Sequence, residues 1–223
     1  HYPLRRQRQM CIRDRVLLMA SKASRQFPYV PVKVLVFLSC LIPLALIGWD
    51  IQSGNLGPDP GQTITEALGI AAFQFLLITL LISPLRKITG WAGWLRFRRM
   101  LGLYAFFYAT LHVLAFLQFI LGWFDLWATF TKRPYIIAGG LAFLLMVPLA
   151  ATSTRGMMKR VGRGWKPLHR LIYSSAVLAW VHFLWQARSD VTEMMIYGLA
   201  LAVILGARVY WSGFSTLIPL KRT

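Results

Sequence analysis

Residues 100–121 read MLGLYAFFYATLHVLAFLQFIL, an apolar run that contains one histidine, His112, and no Lys, Arg, Asp or Glu. A helix crosses the hydrocarbon core of a bilayer with about 20 mostly apolar residues, so this run predicts a transmembrane helix. Five more stretches meet the same criterion, three of them near its short limit: residues 32–49, 68–85, 135–151, 168–186 and 193–213. The sequence therefore predicts an all-α integral membrane protein built as a bundle of six transmembrane helices.

The overall composition supports this class and excludes several others. Of the 223 residues, 57% are hydrophobic and 14% are charged, whereas a soluble domain carries about 25% charged residues. A chain this apolar is neither disordered nor a disulfide scaffold. Its two cysteines, Cys11 and Cys40, show no CxxC or Cys/His spacing, so a structural zinc site is not expected.

The net charge of +18 is unevenly distributed among the segments that connect the predicted spans. Lys and Arg are concentrated in the segment before the first span, in the second and fourth connections and in the tail. If six spans alternate in direction, these four regions lie on the same side of the membrane. The opposite side has only Lys132, Arg133 and Arg188 and collects six of the seven acids. Cytoplasmic segments are enriched in Lys and Arg, so both termini are expected on the cytoplasmic side of the membrane. Nucleic acid is not an expected partner, because a nucleic-acid-binding surface would not alternate with apolar spans.

Two histidines, His112 and His182, lie inside predicted spans that run in the same direction. His112 lies twelve residues beyond Met100 and His182 fourteen beyond Leu168, or roughly 18 and 21 Å along each helix. Ionisable side chains at membrane depth are costly and usually face the bundle interior with a partner. Two neutral imidazoles at matched depth suit the axial ligation of one haem iron from opposite faces.

Each of these histidines continues a strip of small side chains. Gly102, Ala105 and Ala109 share a helical face with His112, and Ser175 and Ala179 share one with His182. A flat porphyrin needs such a strip in order to approach the backbone closely. The alternative is that the small residues allow close packing of helix on helix, which is common in membranes.

A third histidine, His169, starts the fifth predicted span and points about 140° away from His182 on a regular helix. It is a candidate ligand of a second haem, a contact for propionate or flavin at the cytoplasmic rim, or a cap of the span. The nearby cations Arg98, Arg99, Arg163 and Arg170 are candidate contacts for haem propionates, flavin phosphate or lipid phosphate. For any one of these arginines, anchoring at the cytoplasmic face is the alternative.

These features divide the chain into three parts. Residues 1–31 form a basic cytoplasmic N-terminal segment, of which 1–18 are expected to be a non-native extension because an ordinary bacterial start begins at Met19. Residues 32–213 form the six-helix haem-binding transmembrane domain. Residues 214–223 form a short cytoplasmic tail.

The segments RRMLGLYAFFYATLH (residues 98–112) and LHRLIYSSAVLAWVH (residues 168–182) carry a specific resemblance. Residues 32–211 resemble the MsrQ (YedZ) family, haem-binding membrane subunits of periplasmic methionine sulfoxide reductase systems within the ferric-reductase-like transmembrane superfamily. His112, His169 and His182 fall on the three histidines of that family. The resemblance implies haem b, with a second haem and FMN as further candidate cofactors.

The resemblance also implies a multi-pass protein of the bacterial inner membrane that is an electron-transfer subunit of an oxidoreductase system rather than its catalytic subunit. Electrons would come from quinol or a flavin reductase on the cytoplasmic side and pass to a periplasmic molybdopterin-containing partner. That partner would reduce methionine sulfoxide in oxidised proteins.

Three other readings remain open from the residues alone. The first is another ferric-reductase-like or cytochrome b-type membrane redox protein; a quinol-oxidising cytochrome b with two haems would need two histidine pairs, and only three histidines lie in predicted spans. A transporter or proton relay would favour further acids at the midplane, and the acids here lie near span ends. The last alternative is a structural or assembly factor without a cofactor.

Overall fold

The computed structural model describes residues 29–122, 133–186 and 191–212. The predicted extension 1–18 and tail 214–223 lie outside these residues. The chain divides into two compact units between Ser39 and Cys40. The described part of the first unit is a single helix, α1, Tyr29–Ser39.

The described part of the second unit is entirely helical apart from turns and connections. Short 3-10 turns precede α4 and α7, and a π-helical turn, Phe116–Leu121, continues α4. The helices are α2 Ile42–Ser53, α3 Pro60–Thr89, α4 Leu95–Ala115, α5 Pro134–Ala151, α6 Arg155–Val161, α7 Trp165–Leu168, α8 Leu171–Gln186 and α9 Thr192–Ser212.

Five helical stretches among the described residues are long and apolar enough to cross a membrane: Tyr29–Ser53, Pro60–Thr89, Ala92–Leu121, Pro134–Ala151 and Thr192–Trp211. The predicted fifth span differs, because α8 has 16 residues and a length of about 24 Å against a hydrocarbon core of about 30 Å. The prediction of an all-α membrane protein is confirmed. The count of six spans and the cytoplasmic position of both termini stay predictions.

Helix α3 extends well beyond the span predicted at residues 68–85. It begins at Pro60, whose fixed φ suits the first helical position. The Asp59 side chain caps this end by accepting a hydrogen bond from the Gln62 backbone N–H at 3.0 Å. Apolarity marks only the part of a helix that suits lipid, which is why hydropathy alone missed the first two turns.

Two helix pairs form the centre of the second unit. Helix α3 lies along α4, and α5 lies along α8, while α9 contacts both α3 and α8. Leu76, Leu80, Tyr108 and Ser175 are its largest fully buried side chains. Each pair contributes one of the two histidines to the site described next.

Candidate functional site

The imidazoles of His112 on α4 and His182 on α8 lie next to each other. Their ring centroids are 6.2 Å apart and their planes are inclined by 76°. Both side chains are half-buried. The structure thus brings together the two histidines that sequence analysis placed at matched depth.

One nitrogen of each ring is fixed by a backbone carbonyl of the neighbouring helix. His112 Nδ1 is 2.8 Å from the Thr65 carbonyl oxygen of α3, and His182 Nδ1 is 2.7 Å from the Tyr135 carbonyl oxygen of α5. A carbonyl oxygen only accepts, so each Nδ1 donates and carries the ring proton. Nε2 of each neutral ring then holds the lone pair that binds a metal.

A glycine allows each imidazole to reach its carbonyl. A Cβ built on Gly69 would lie 2.9 Å from His112 Nδ1, and one built on Gly139 would lie 2.8 Å from His182 Nδ1. Real Cβ atoms almost never approach a heavy atom this closely. Each glycine therefore leaves the space in which a histidine lies against the adjacent helix.

The two halves of the site are built alike. In both, the acceptor carbonyl lies 47 residues before its histidine, and the glycine follows that carbonyl by four residues, one helical turn. The helix pairs α3–α4 and α5–α8 thus hold their histidines by the same arrangement, although no sequence repeat is evident.

The separation of the rings fits two ligands of one metal ion. A metal–imidazole bond of about 2.0–2.1 Å, with about 1.1 Å from Nε2 to the ring centre, gives roughly 6.2–6.4 Å between centroids across a linear pair. The observed value is 6.2 Å. Among the described residues no group of three or more His, Cys, Asp or Glu side chains could hold a metal ion. A pair of axial ligands therefore suits this site better than an all-protein metal cage.

Two of the small residues that share a face with the histidines, Gly102 and Ser175, lie against a neighbouring helix. A Cβ on Gly102 would meet Thr79 Cγ2 of α3 at 3.5 Å, and Ala105 is fully buried. Ser175 Oγ donates to the Ala142 carbonyl of α5 at 2.9 Å. Gly102 and Ser175 therefore pack helix on helix, which is one of the two alternatives open from the sequence.

His169 does not join this pair. It precedes α8, thirteen residues before His182, or about 20 Å along a helix. Its ring stacks on Trp165 with centroids 4.0 Å apart, and its Nδ1 lies 3.2 Å from the Trp165 carbonyl oxygen. The structure therefore places His169 in a separate environment near the start of α8.

The four arginines singled out from the sequence fall into two groups. Arg99 and Arg163 are exposed, whereas Arg98 and Arg170 are half-buried. Arg98 Nη1 donates to Ser83 Oγ at 3.4 Å, which connects this side chain to α3.

Three residues of structural importance were not predicted from the sequence: a buried cation, Arg208 of α9, and the glycines Gly69 and Gly139. Arg208 is 9% exposed and its guanidinium contacts both Tyr173 and the Leu80 carbonyl. A lone arginine inside the predicted sixth span was the available signal. The glycines gave none, because their role depends on a histidine of another helix.

The sequence matches a family model described as "Ferric reductase like transmembrane component" over residues 68–180. A relative from Xanthomonas oryzae pv. oryzae (strain MAFF 311018), named "Protein-methionine-sulfoxide reductase heme-binding subunit MsrQ", is 49% identical over 186 residues, which cover 80% of this chain and 85% of the relative. A relative with the same name from Xanthomonas axonopodis pv. citri is 50% identical over 186 residues, with the same coverage of 80% and 85%. One from Rhodospirillum rubrum, again with that name, is 42% identical over 181 residues, covering 79% and 86%. The chain therefore belongs to the MsrQ family of ferric-reductase-like transmembrane proteins.

Proposed function

We propose that the chain is the haem-binding membrane subunit of a methionine sulfoxide reductase system. It binds haem b between His112 and His182 and carries electrons across the bacterial inner membrane. Quinol or a flavin reductase supplies the electrons from the cytoplasmic side. A periplasmic molybdopterin-containing subunit receives them and reduces methionine sulfoxide in oxidised proteins.

The observation that carries this proposal is the pair of imidazoles 6.2 Å apart, each with its Nδ1 at a carbonyl. Two rings with free Nε2 lone pairs at that separation suit one iron with two axial histidines. The names of the relatives, which describe heme-binding subunits, support the same assignment. When bound, haem supplies reversible one-electron chemistry, which protein side chains lack at accessible potentials.

The residues of the chain orient the two ligands. The Thr65 and Tyr135 carbonyls fix the tautomer and the orientation of the two rings, as such partners do at metal sites. One aromatic side chain lies beside the pair: the ring centroid of Tyr135 is 5.8 Å from that of His182. The polarity around a ligand is one of the properties by which a protein tunes a redox potential.

The ligand assignment is tested by visible absorption of the purified protein, oxidised and dithionite-reduced. His112→Ala and His182→Ala should each abolish the sharp low-spin bands, because either change removes one axial ligand. His169→Ala is the matched control and should keep at least part of the low-spin signal. Retention of the full signal in either of the first two variants would refute the assignment.

The same preparation measures cofactor content. Haem per chain in wild type and in His169→Ala decides whether His169 ligates a second haem, since the variant would then lose one of two. Flavin released on denaturation and detected by fluorescence decides whether FMN is bound.

Electron delivery is tested in membrane vesicles that contain the chain and the purified periplasmic reductase. After reduction by quinol, the haem should be reoxidised when the reductase and methionine sulfoxide are both present. Omission of the sulfoxide is the control. Quinol-reduced haem that stays reduced with the complete mixture would argue against this partner.

A further inference from the structure

Arg208 is a buried cation in a helix that is long and apolar enough to cross a membrane. It lies on α9 and is 9% exposed. Its guanidinium carbon lies 5.2 Å from the centre of the Tyr173 ring of α8. A buried charge in such a helix is costly unless it is paired, so its partners decide what it does.

Two of its nitrogens have partners within the protein. Arg208 Nη2 donates to the Leu80 carbonyl of α3 at 2.7 Å. That carbonyl has no helical donor of its own, because the residue one turn later is Pro84, which lacks an N–H. Nη1 donates to the Tyr173 hydroxyl at 2.6 Å. These bonds give Arg208 a structural role but do not neutralise its charge.

The third nitrogen is unused. Arg208 Nε is buried and has no hydrogen-bond partner among the described residues. The Tyr173 hydroxyl accepts from Arg208, so its own proton remains available to a further acceptor. Two donors are therefore available to a ligand: the Nε–H of the Arg208 guanidinium and the hydroxyl proton of Tyr173.

The charges around Arg208 are positive as well. Arg98 of α4 reaches the same part of α3 as Arg208, because its Nη1 donates to Ser83 Oγ at 3.4 Å, three residues beyond the Leu80 carbonyl that Arg208 binds. The described acids are Asp50, Asp59, Glu66 and Glu193. Glu193 starts the same helix, about 22 Å from Arg208 along its axis, and Glu66 lies about 21 Å before Leu80 on α3 by the same rise.

From this arrangement we infer that Arg208, Arg98 and the Tyr173 hydroxyl form a binding site for an oxyanion, a carboxylate or a phosphate, within the helix bundle. An oxyanion accepts the free Nε–H and the tyrosine proton and compensates two arginines that no acid of the described residues neutralises. Charge-assisted bonds from arginine to carboxylate or phosphate are among the strongest in proteins.

Two sources supply this chemistry. One is a porphyrin propionate, in which case the inference deepens the proposed function and rests on it. The other is the phosphate of a lipid or a flavin, in which case the site stands without any haem. The experiment below has a separate arm for each source.

A variant that tests this site must remove the charge of Arg208 without leaving a backbone carbonyl of α3 unpaired. Arg208→Met alone would leave the Leu80 carbonyl without a donor, so a folding defect would be hard to distinguish from lost binding. The double variant Pro84→Ala/Arg208→Met avoids this, because the substituted residue at position 84 restores the helical N–H. The controls are Pro84→Ala alone and Arg155→Met, which removes an exposed arginine at the start of α6.

The phosphate arm measures phosphorus that stays with the full chain after exhaustive detergent exchange, with mass spectrometry for lipid and fluorescence for flavin. The carboxylate arm reconstitutes haem-depleted full chain with haem b or with its dimethyl ester, which has no propionate charge. If the ligand is a phosphate, wild type and both controls should retain stoichiometric phosphorus. If it is a propionate, they should bind haem b about tenfold more tightly than its dimethyl ester. The double variant should lose whichever property wild type shows.

Absence of both properties in wild type, or their survival in the double variant, would overturn the inference and leave Arg208 as a bridge between helices. The low-spin spectrum of His112 and His182, recorded throughout, keeps this outcome separate from the proposed function. Loss of retained phosphorus with an intact spectrum affects only the oxyanion site. A wild type without low-spin haem contradicts the proposed function and leaves the phosphate arm intact.

Discussion

Gly69 of α3 lies directly beneath the imidazole of His112, so close that a Cβ there would come within 2.9 Å of Nδ1. The hydrogen bond from that Nδ1 to the Thr65 carbonyl is 2.8 Å long. The ring therefore cannot keep this bond if position 69 carries a side chain. Gly139 stands in the same relation to His182.

This contact predicts that Gly69→Ala or Gly139→Ala displaces one imidazole and weakens haem binding. Overpacking of this kind costs about 1–3 kcal/mol, which corresponds to roughly 5- to 150-fold in haem affinity. The measurement is haem per chain together with the low-spin spectrum. Gly140→Ala is the matched control, because a Cβ there meets nothing within 4 Å. Equal haem content in all three variants would show that the glycines do not position the ligands.

Tyr108 should contribute measurably to the stability of the second unit. Its side chain is fully buried, and its hydroxyl donates to the Cys40 carbonyl at 2.8 Å. Tyr108→Phe keeps the stacking on Phe75 but leaves that carbonyl without this donor, at a cost of about 1–3 kcal/mol. Thermal unfolding in detergent should show a lower midpoint. Tyr210→Phe, at a residue that is 86% exposed, should leave it unchanged.

Gly198 should be required for the contact between α8 and α9. A Cβ on it would lie 2.5 Å from Trp180 Nε1, the atom that donates to the Met194 carbonyl at 3.0 Å. Gly198→Ala should therefore lower the midpoint of thermal unfolding. Gly206→Ala on the same helix meets nothing within 4 Å and should be neutral or gain up to about 1 kcal/mol in helix propensity. This account of the packing would be contradicted if Gly206→Ala lowered the midpoint of thermal unfolding and Gly198→Ala left it unchanged.

The predicted orientation can be tested at the two ends of α5. Arg133 precedes this helix and Arg155 follows it, and both are exposed. The 18 residues of α5 span about 27 Å, enough to place its ends on opposite sides of the bilayer. In a variant without Cys11 and Cys40, an impermeant maleimide should label Arg133→Cys in intact cells and Arg155→Cys only after permeabilisation. The reverse pattern would invert the orientation.

The amino-acid sequence by itself determined the membrane class, the approximate positions of most apolar helices and the two histidines that meet. These properties are local: the length of an apolar run and the cost of an ionisable group in lipid can be read at each position. Family membership was equally accessible, because residues 98–112 and 168–182 carry it.

Only the tertiary structure decided what surrounds those histidines. The Thr65 and Tyr135 carbonyls, the two glycines and the bond from Arg208 to the carbonyl opposite Pro84 each join residues far apart in the chain. The packing of Gly102 and Ser175 against neighbouring helices was one of two alternatives until those helices were placed. Such contacts depend on which helix lies against which, and no local pattern encodes that choice, since an apolar face packs equally well against lipid, cofactor or protein.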